Sequence, residues 1–153
     1  MEDLERLYAK KIEEVMAGRV WDLPILDKDA NISHVLSVLA SRSHAWVVEN
    51  RNSMKAVGVI TEHDILDLLA PKKLPRYVFG VKHYLSLKYG TASKAEDVMR
   101  KSLVKCSPGD TVEEALEKMR FNALRRLPVV KDEKLAGEIT IHQLLQFLLG
   151  KRK

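Results

Sequence analysis

The chain has 153 residues, 46% of them apolar and 31% charged, with a formal net charge of +5, which is enough length for a sizeable core in about one domain. No apolar run approaches a membrane span, and the acidic, amphipathic start Met1-Glu2-Asp3-Leu4-Glu5-Arg6 is unlike a secretory signal, so a cytoplasmic globular protein is expected. The single Cys106 excludes an internal disulfide and a cysteine-built zinc site, and reads as a core residue on a strand.

From Glu2 to Met16 the residues Leu4, Leu7, Tyr8, Ile12, Val15 and Met16 recur at helical spacing, with Gly18 placed to stop one amphipathic helix within residues 1–19. Its apolar stripe must be covered, either by its own domain or by a partner chain. A first unit follows over residues 20–70: an extended Leu23-Pro24-Ile25-Leu26, a cap at Asp29-Ala30-Asn31, a helix carrying Ile32, Val35, Leu36 and Leu39, a strand Ala45-Trp46-Val47-Val48, and a hairpin partner Ala56-Val57-Gly58-Val59-Ile60. Residues 71–94 are a connecting segment with six Lys or Arg and no acid, and Lys151-Arg152-Lys153 add three more cations at the end. The positive charge is therefore local. Over residues 95–150 the order returns: strand Leu103-Val104-Lys105-Cys106, turn Ser107-Pro108-Gly109-Asp110, capping box Thr111-x-x-Glu114, helix with Val112, Ala115, Leu116 and Met119 inward, and hairpin Leu127-Pro128-Val129-Val130 with Lys134 to Ile139.

The stretch Gly58-Val59-Ile60-Thr61-Glu62-His63-Asp64 matches Gly137-Glu138-Ile139-Thr140-Ile141-His142-Gln143 at a separation of 79, while Ile32 matches Val112 at 80 and Val48 matches Val130 at 82. Repetition of a strand-turn-helix unit signals architecture. A hydroxyl and a carboxylate delivered to the first turn of a helix can hold a sugar and a phosphate, because that turn leaves N–H groups without internal partners. The plainer alternative is that Thr61 caps the helix and Asp64 closes a capping box.

In their order and repetition, Asp110-Thr-Val-x-x-Ala115-Leu, Arg126-Leu-Pro-Val-Val130 and Gly-x-x-Thr before an acid or its substitute resemble a tandem pair of CBS domains, the cystathionine-beta-synthase type motif of Bateman modules, over roughly residues 20–150. The resemblance implies an α/β (α+β) fold of two pseudo-twofold-related β-α-β-β-α units packed through their sheets, here with an added N-terminal helix, and often a further pairing into a homodimer. It also implies a regulatory sensor of an adenosine-containing ligand: AMP, ADP, ATP or S-adenosylmethionine. Thr61 would then meet phosphate or sugar, and Asp64 would accept hydrogen bonds from the ribose hydroxyls. Gly58 belongs to the same motif, Ile25, Val47 and Ile60 are candidates for an apolar adenine slot, and His44 is a candidate for phosphate. In the second copy Gln143 replaces the acid, and a neutral amide cannot replace a carboxylate's grip on a diol, so Thr140 and Gln143 are expected to form a weaker site. Arg125 and Arg126 could hold phosphate there, or face solvent, or pair with acids such as Glu117.

His63 and His142 share one slot in both copies, yet neither has a second ligand at helical spacing, so surface or capping imidazoles are expected and no metal. In the connecting segment, Tyr77, Phe79, Tyr84 and Tyr89 among cations could stack on single-stranded nucleic acid, whereas Tyr77, Val81, Tyr84 and Leu85 at helical spacing suggest packing. Trp21 and Trp46 read as core or interface residues. There is no Ser/His/Asp order with a nucleophile elbow, no Gly-rich phosphate loop ending in Lys-Thr or Lys-Ser and no Cys/His pair in a telling context, so an enzyme is not expected and no cofactor is required. The expected partners are the adenosyl ligand, a second copy and an unknown regulated protein, with no membrane. The alternatives are a protein-interaction scaffold with vestigial clefts and nucleic-acid binding through residues 71–94.

Overall fold

The computed structural model describes residues 2–70 and 92–150. The expectations placed on residues 71–91 and on Lys151-Arg152-Lys153 lie outside the described residues. In chain order the elements are α1 (Glu2–Ala9), α2 (Ile12–Val15), a 3-10 turn (Val20–Asp22), β1 (Ile25–Asp27), α3 (Ile32–Ser41), β2 (His44–Val48), β3 (Ala56–Thr61), α4 (Glu62–Leu69), α5 (Ala95–Val98), α6 (Val112–Phe121), β4 (Arg126–Lys131), β5 (Lys134–Thr140) and α7 (Ile141–Leu148).

These elements sort into two compact units whose membership crosses the order of the repeats. One unit takes Pro24–Asn52 with Val57–Lys101, and the other takes Met1–Leu23, Ser53–Ala56 and Ser102–Lys153. In the first, β1, β2 and β3 form a sheet in that order, with β1 parallel to β2 in the register Ile25 to Trp46 and Leu26 to Val47. Because side chains alternate along a strand and paired residues share a face, Ile25 and Trp46 lie on one side and Leu26 and Val47 on the other. The latter side is the core: Leu26, Ala45, Val47 and Ile60 pack with Val35, Leu68, Ala95 and Val98. The helices begin where the sequence supplies caps. The Asn31 side chain accepts the His34 N–H at 2.9 Å, which satisfies one of the four unpaired donors of a first turn.

In the second unit β4 and β5 form an antiparallel pair with an irregularity between Val129 and Val130. Thr111 caps α6 reciprocally, its hydroxyl accepting the Glu114 N–H at 3.2 Å while its own N–H donates to the Glu114 carboxylate at 2.8 Å. The opening strand expected at Leu103–Cys106 is reduced to one bridge, Cys106 to Val129. The chain turns away immediately, with the Asp110 N–H donating to the Ser107 carbonyl at 3.0 Å and the Ser107 N–H to the Asp110 carboxylate at 2.8 Å. Cys106 is buried, and burial pushes its thiol up to about 12.

The single helix expected over residues 2–16 is two. The Lys11 to Thr111 bridge breaks it, with the Ile12 N–H donating to the Asp110 carbonyl at 2.8 Å and the Val112 N–H to the Lys10 carbonyl at 2.9 Å. A new first turn then starts at Ile12, closed by the Glu14 carboxylate on the Lys11 N–H at 2.7 Å. The stripe is covered by the chain's own second unit: Leu7, Ile12 and Val15 join Cys106, Val112, Ala115, Met119, Leu127, Ile139 and Leu144 in one core. Trp21 is 81% exposed and so is no core residue.

Each repeat's sheet is also met by a short helix that precedes a repeat in the sequence. Ala17, after α2, exchanges two backbone hydrogen bonds with Glu138 of β5, and Arg100, after α5, exchanges two with Val59 of β3. Gly58 and Gly137 are the neighbours that permit this approach. A Cβ on Gly58 would fall 2.4 Å from Met99 Sδ, and one on Gly137 would fall 2.5 Å from the Ala17 carbonyl oxygen.

Candidate functional site

Thr61 ends β3 and starts α4, so one residue carries both the last extended backbone and the first helical turn. Its N–H and its hydroxyl both donate to Asp64 Oδ2, at 2.9 and 3.0 Å. The other oxygen of Asp64 is also engaged, accepting the Arg100 Nε–H at 3.0 Å. The Asp64 side chain is 10% exposed and that of Arg100 is 52% exposed. The acid therefore sits inside the unit and the guanidinium reaches it from the rim. The capping-box reading and the sugar-binding reading of these residues thus meet in one carboxylate, whose two oxygens receive three donors.

Arg100 was not singled out by sequence. The signal that finds it is the Val-Met dipeptide before each repeat: Val15-Met16 is followed by Ala17, and Val98-Met99 by Arg100. The bridges align these positions. Ala17 faces Glu138 and Arg100 faces Val59, and Val59 and Glu138 both follow the matched glycines. In the second repeat the Thr140 N–H donates to Gln143 Oε1 and the Thr140 hydroxyl accepts the Gln143 N–H, both at 3.1 Å. The acid and the base are replaced together, by Gln143 and Ala17.

The remaining expected site residues divide. Val47 and Ile60 are fully buried in the helix-backed core, so they are not open to an adenine ring as expected; the pairing of Val47 with Leu26 across the sheet fixes that side. Ile25 lies on the opposite face beside Trp46, whose buried indole N–H has no hydrogen-bond partner among the described residues. His44 is buried too, with its ring edge on Trp46 at 5.3 Å and its Nδ1 3.1 Å from Ser43 Oγ, so its imidazole is packed inside the unit and not placed on a rim. Gly58 has the steric role already given. Arg126 pairs across the ladder with Thr140, and the carbonyl of the exposed Arg125 accepts the Ile141 N–H at 3.0 Å, so both arginines stand at the start of α7. His63 Nδ1 lies 3.5 Å from Asp67 Oδ2, and His142 Nε2 lies 3.1 Å from Gln146 Nε2, each partner one turn further along its own helix.

Within the second unit a cavity of about 490 Å³ is lined by Tyr8, Glu113, Leu116, Arg120, Leu124 and Ile141 among others. Among the described residues no group of three or more His, Cys, Asp or Glu is placed to hold a metal ion, and no described helix is long and apolar enough to cross a membrane.

The profile of the CBS domain matches residues 12–71 and 95–150. The chain belongs to the CBS-domain family. A Methanocaldococcus jannaschii relative, an uncharacterized protein, is 32% identical over 155 residues, covering 96% of this chain and 80% of that protein. Other curated relatives are longer, and the chain spans only 37% and 23% of the length of two of them. Among solved structures, CBSX2 in complex with AMP matches with a TM-score of 0.75 and 23% identity, covering 94% of this chain and all of that one. The CBS domain pair of protein MJ0100, in complex with 5-methylthioadenosine and S-adenosyl-L-methionine, matches at 0.66 and 17%, covering 94% and 99%. These likenesses establish the CBS-pair fold: a mixed α/β chain of two repeats preceded by N-terminal helices.

Proposed function

We propose that this CBS pair is a regulatory module that binds an adenosine-containing ligand at the first repeat, with the ribose hydroxyls on Asp64 and the Thr61 end of α4 beside the phosphate or sugar. The observation that carries the reading is the sheltered carboxylate at the start of a helix, already serving as an acceptor for three donors. A carboxylate is an acceptor for a vicinal diol, and the first-turn N–H groups favour an anion nearby. That similar folds were solved with AMP and with S-adenosyl-L-methionine supports the ligand class. The second repeat, with Gln143 and Ala17, is the weaker nucleoside site. No chemical step is assigned to the module; its output is the free-energy difference a ligand creates between two states of the protein.

The test is calorimetry with AMP on the parent and on Asp64→Asn, which keeps one acceptor for the Thr61 N–H so that the helix cap survives. Circular dichroism checks the fold. Loss of binding in a folded variant supports the site, and undiminished binding removes it.

A separate observation favours an interface as well. Leu145, Leu148 and Leu149 stand at i, i+3 and i+4 around the end of α7 and are all exposed, an apolar face rather than a scatter of single leucines. We read them as covered by a second copy. Light scattering on Leu145→Glu tests this, a change from dimer to monomer being the expected result and an unchanged mass the refutation.

A further inference from the structure

We propose that Arg100 makes the first-repeat site selective for phosphorylated, anionic adenosyl ligands over neutral or cationic ones. The inference rests on the nucleoside reading above and adds the residue that sets the ligand's charge.

A carboxylate offers about four acceptor positions. Thr61 uses two on Oδ2 and Arg100 takes one on Oδ1, so a diol, which brings two donors, does not fit beside all three. Thr61 cannot yield without undoing the start of α4. Arg100 can, because its backbone is pinned by two hydrogen bonds to Val59, 2.8 and 3.1 Å, while its side chain is half exposed. Ribose therefore displaces the guanidinium from the acid. The displaced charge costs least when the same ligand offers an anion to receive it, and a guanidinium can take two phosphate oxygens at once. Adenosine offers no such partner, and the sulfonium of S-adenosylmethionine meets a like charge.

The second repeat supplies an internal comparison. At the positions matched by register it has lost the acid and the base together, Gln143 for Asp64 and Ala17 for Arg100. An arginine that served only the backbone bridge would have no reason to vary with residue 143, since Ala17 forms the same bridge without it.

The experiment is calorimetry of AMP, adenosine and S-adenosylmethionine against the parent, Arg100→Gln, Arg100→Lys and Asp64→Asn, with thermal unfolding to verify folding. The expected result is that Arg100→Gln lowers the ratio of AMP to adenosine affinity about tenfold, the scale of one charge-assisted contact, and raises S-adenosylmethionine relative to AMP, while Arg100→Lys keeps most of the parent's preference. If Asp64→Asn abolishes AMP binding but Arg100→Gln leaves the AMP to adenosine ratio within about twofold, the role of Arg100 is refuted and the nucleoside site stands. If the parent binds none of the three compounds, or Asp64→Asn binds AMP as well as the parent does, both fall.

Discussion

The two matched glycines give the sharpest test of how each short helix is docked on its sheet. In Gly137→Ala the new methyl would lie 2.5 Å from the Ala17 carbonyl oxygen and 3.2 Å from Met16 Sδ, where ordinary contact begins at 3.4 Å, so the Ala17 backbone must retreat by about 0.9 Å. That retreat opens the Ala17 to Glu138 exchange, whose bonds are 3.0 and 3.2 Å, at about 1 kcal/mol each. Lost conformational freedom of the unfolded chain returns roughly 0.5 kcal/mol, leaving about 1.5 kcal/mol, which overpacking of about 1 kcal/mol raises to a destabilisation of about 2.5 kcal/mol. In Gly58→Ala the closest atoms are Sδ and Cγ of Met99, 2.4 and 2.8 Å away, with the Arg100 carbonyl at 3.0 Å. A thioether can rotate aside, so the cost is about 1 kcal/mol, and Met99→Ala in the same chain relieves part of it. Gly109, with nothing within 4 Å of its Cβ position, is the control and should change by no more than about 0.5 kcal/mol on substitution by Ala. Urea unfolding followed by circular dichroism reads all three. A Gly58→Ala loss equal to or greater than that of Gly137→Ala would refute the steric argument, as would indifference at both sites.

Ile12→Ala removes a fully buried side chain from the second unit's core and should cost about 2–4 kcal/mol, whereas Phe121→Ala, at 91% exposure, should leave the monomer's stability within about 0.5 kcal/mol; equal effects would mean that the N-terminal helices do not share that core. Thr111→Ala should lower stability by about 1 kcal/mol through loss of the reciprocal cap, and a neutral result in a thermal melt counts against it. Burial raises the Cys106 thiol to about 12 from its ordinary 9.0, so the folded state holds its proton longer than the unfolded one, and that contribution is complete below about pH 9 and lost as the pH climbs towards 12. Relative to Cys106→Val, the parent should lose stability between pH 9 and 11, and in the native state its thiol should resist Ellman's reagent until urea unfolds it. Prompt labelling of the native thiol would show that Cys106 is not enclosed.

The sequence by itself determined the local grammar: where helices start, at Asn31, Thr61, Thr111 and Thr140; where strands alternate; and that one unit occurs twice. These follow from short-range rules, since caps act over three residues and periodicity over one or two turns. Tertiary structure decided what each apolar face meets. The stripe of Leu7, Ile12 and Val15 could be read but not its destination, because periodicity says that a face is apolar and not which surface covers it; the second repeat covers it, and the Lys11 to Thr111 bridge splits the helix that the spacing drew as one. Strand parity separated Ile25 from Val47 only once the β1 to β2 register placed Ile25 opposite Trp46. The pairing of Arg100 with Asp64 spans 36 residues, a distance over which the chain carries no periodic signal. It exists because α5 returns to β3, and only packing brings those two ends of the first unit together.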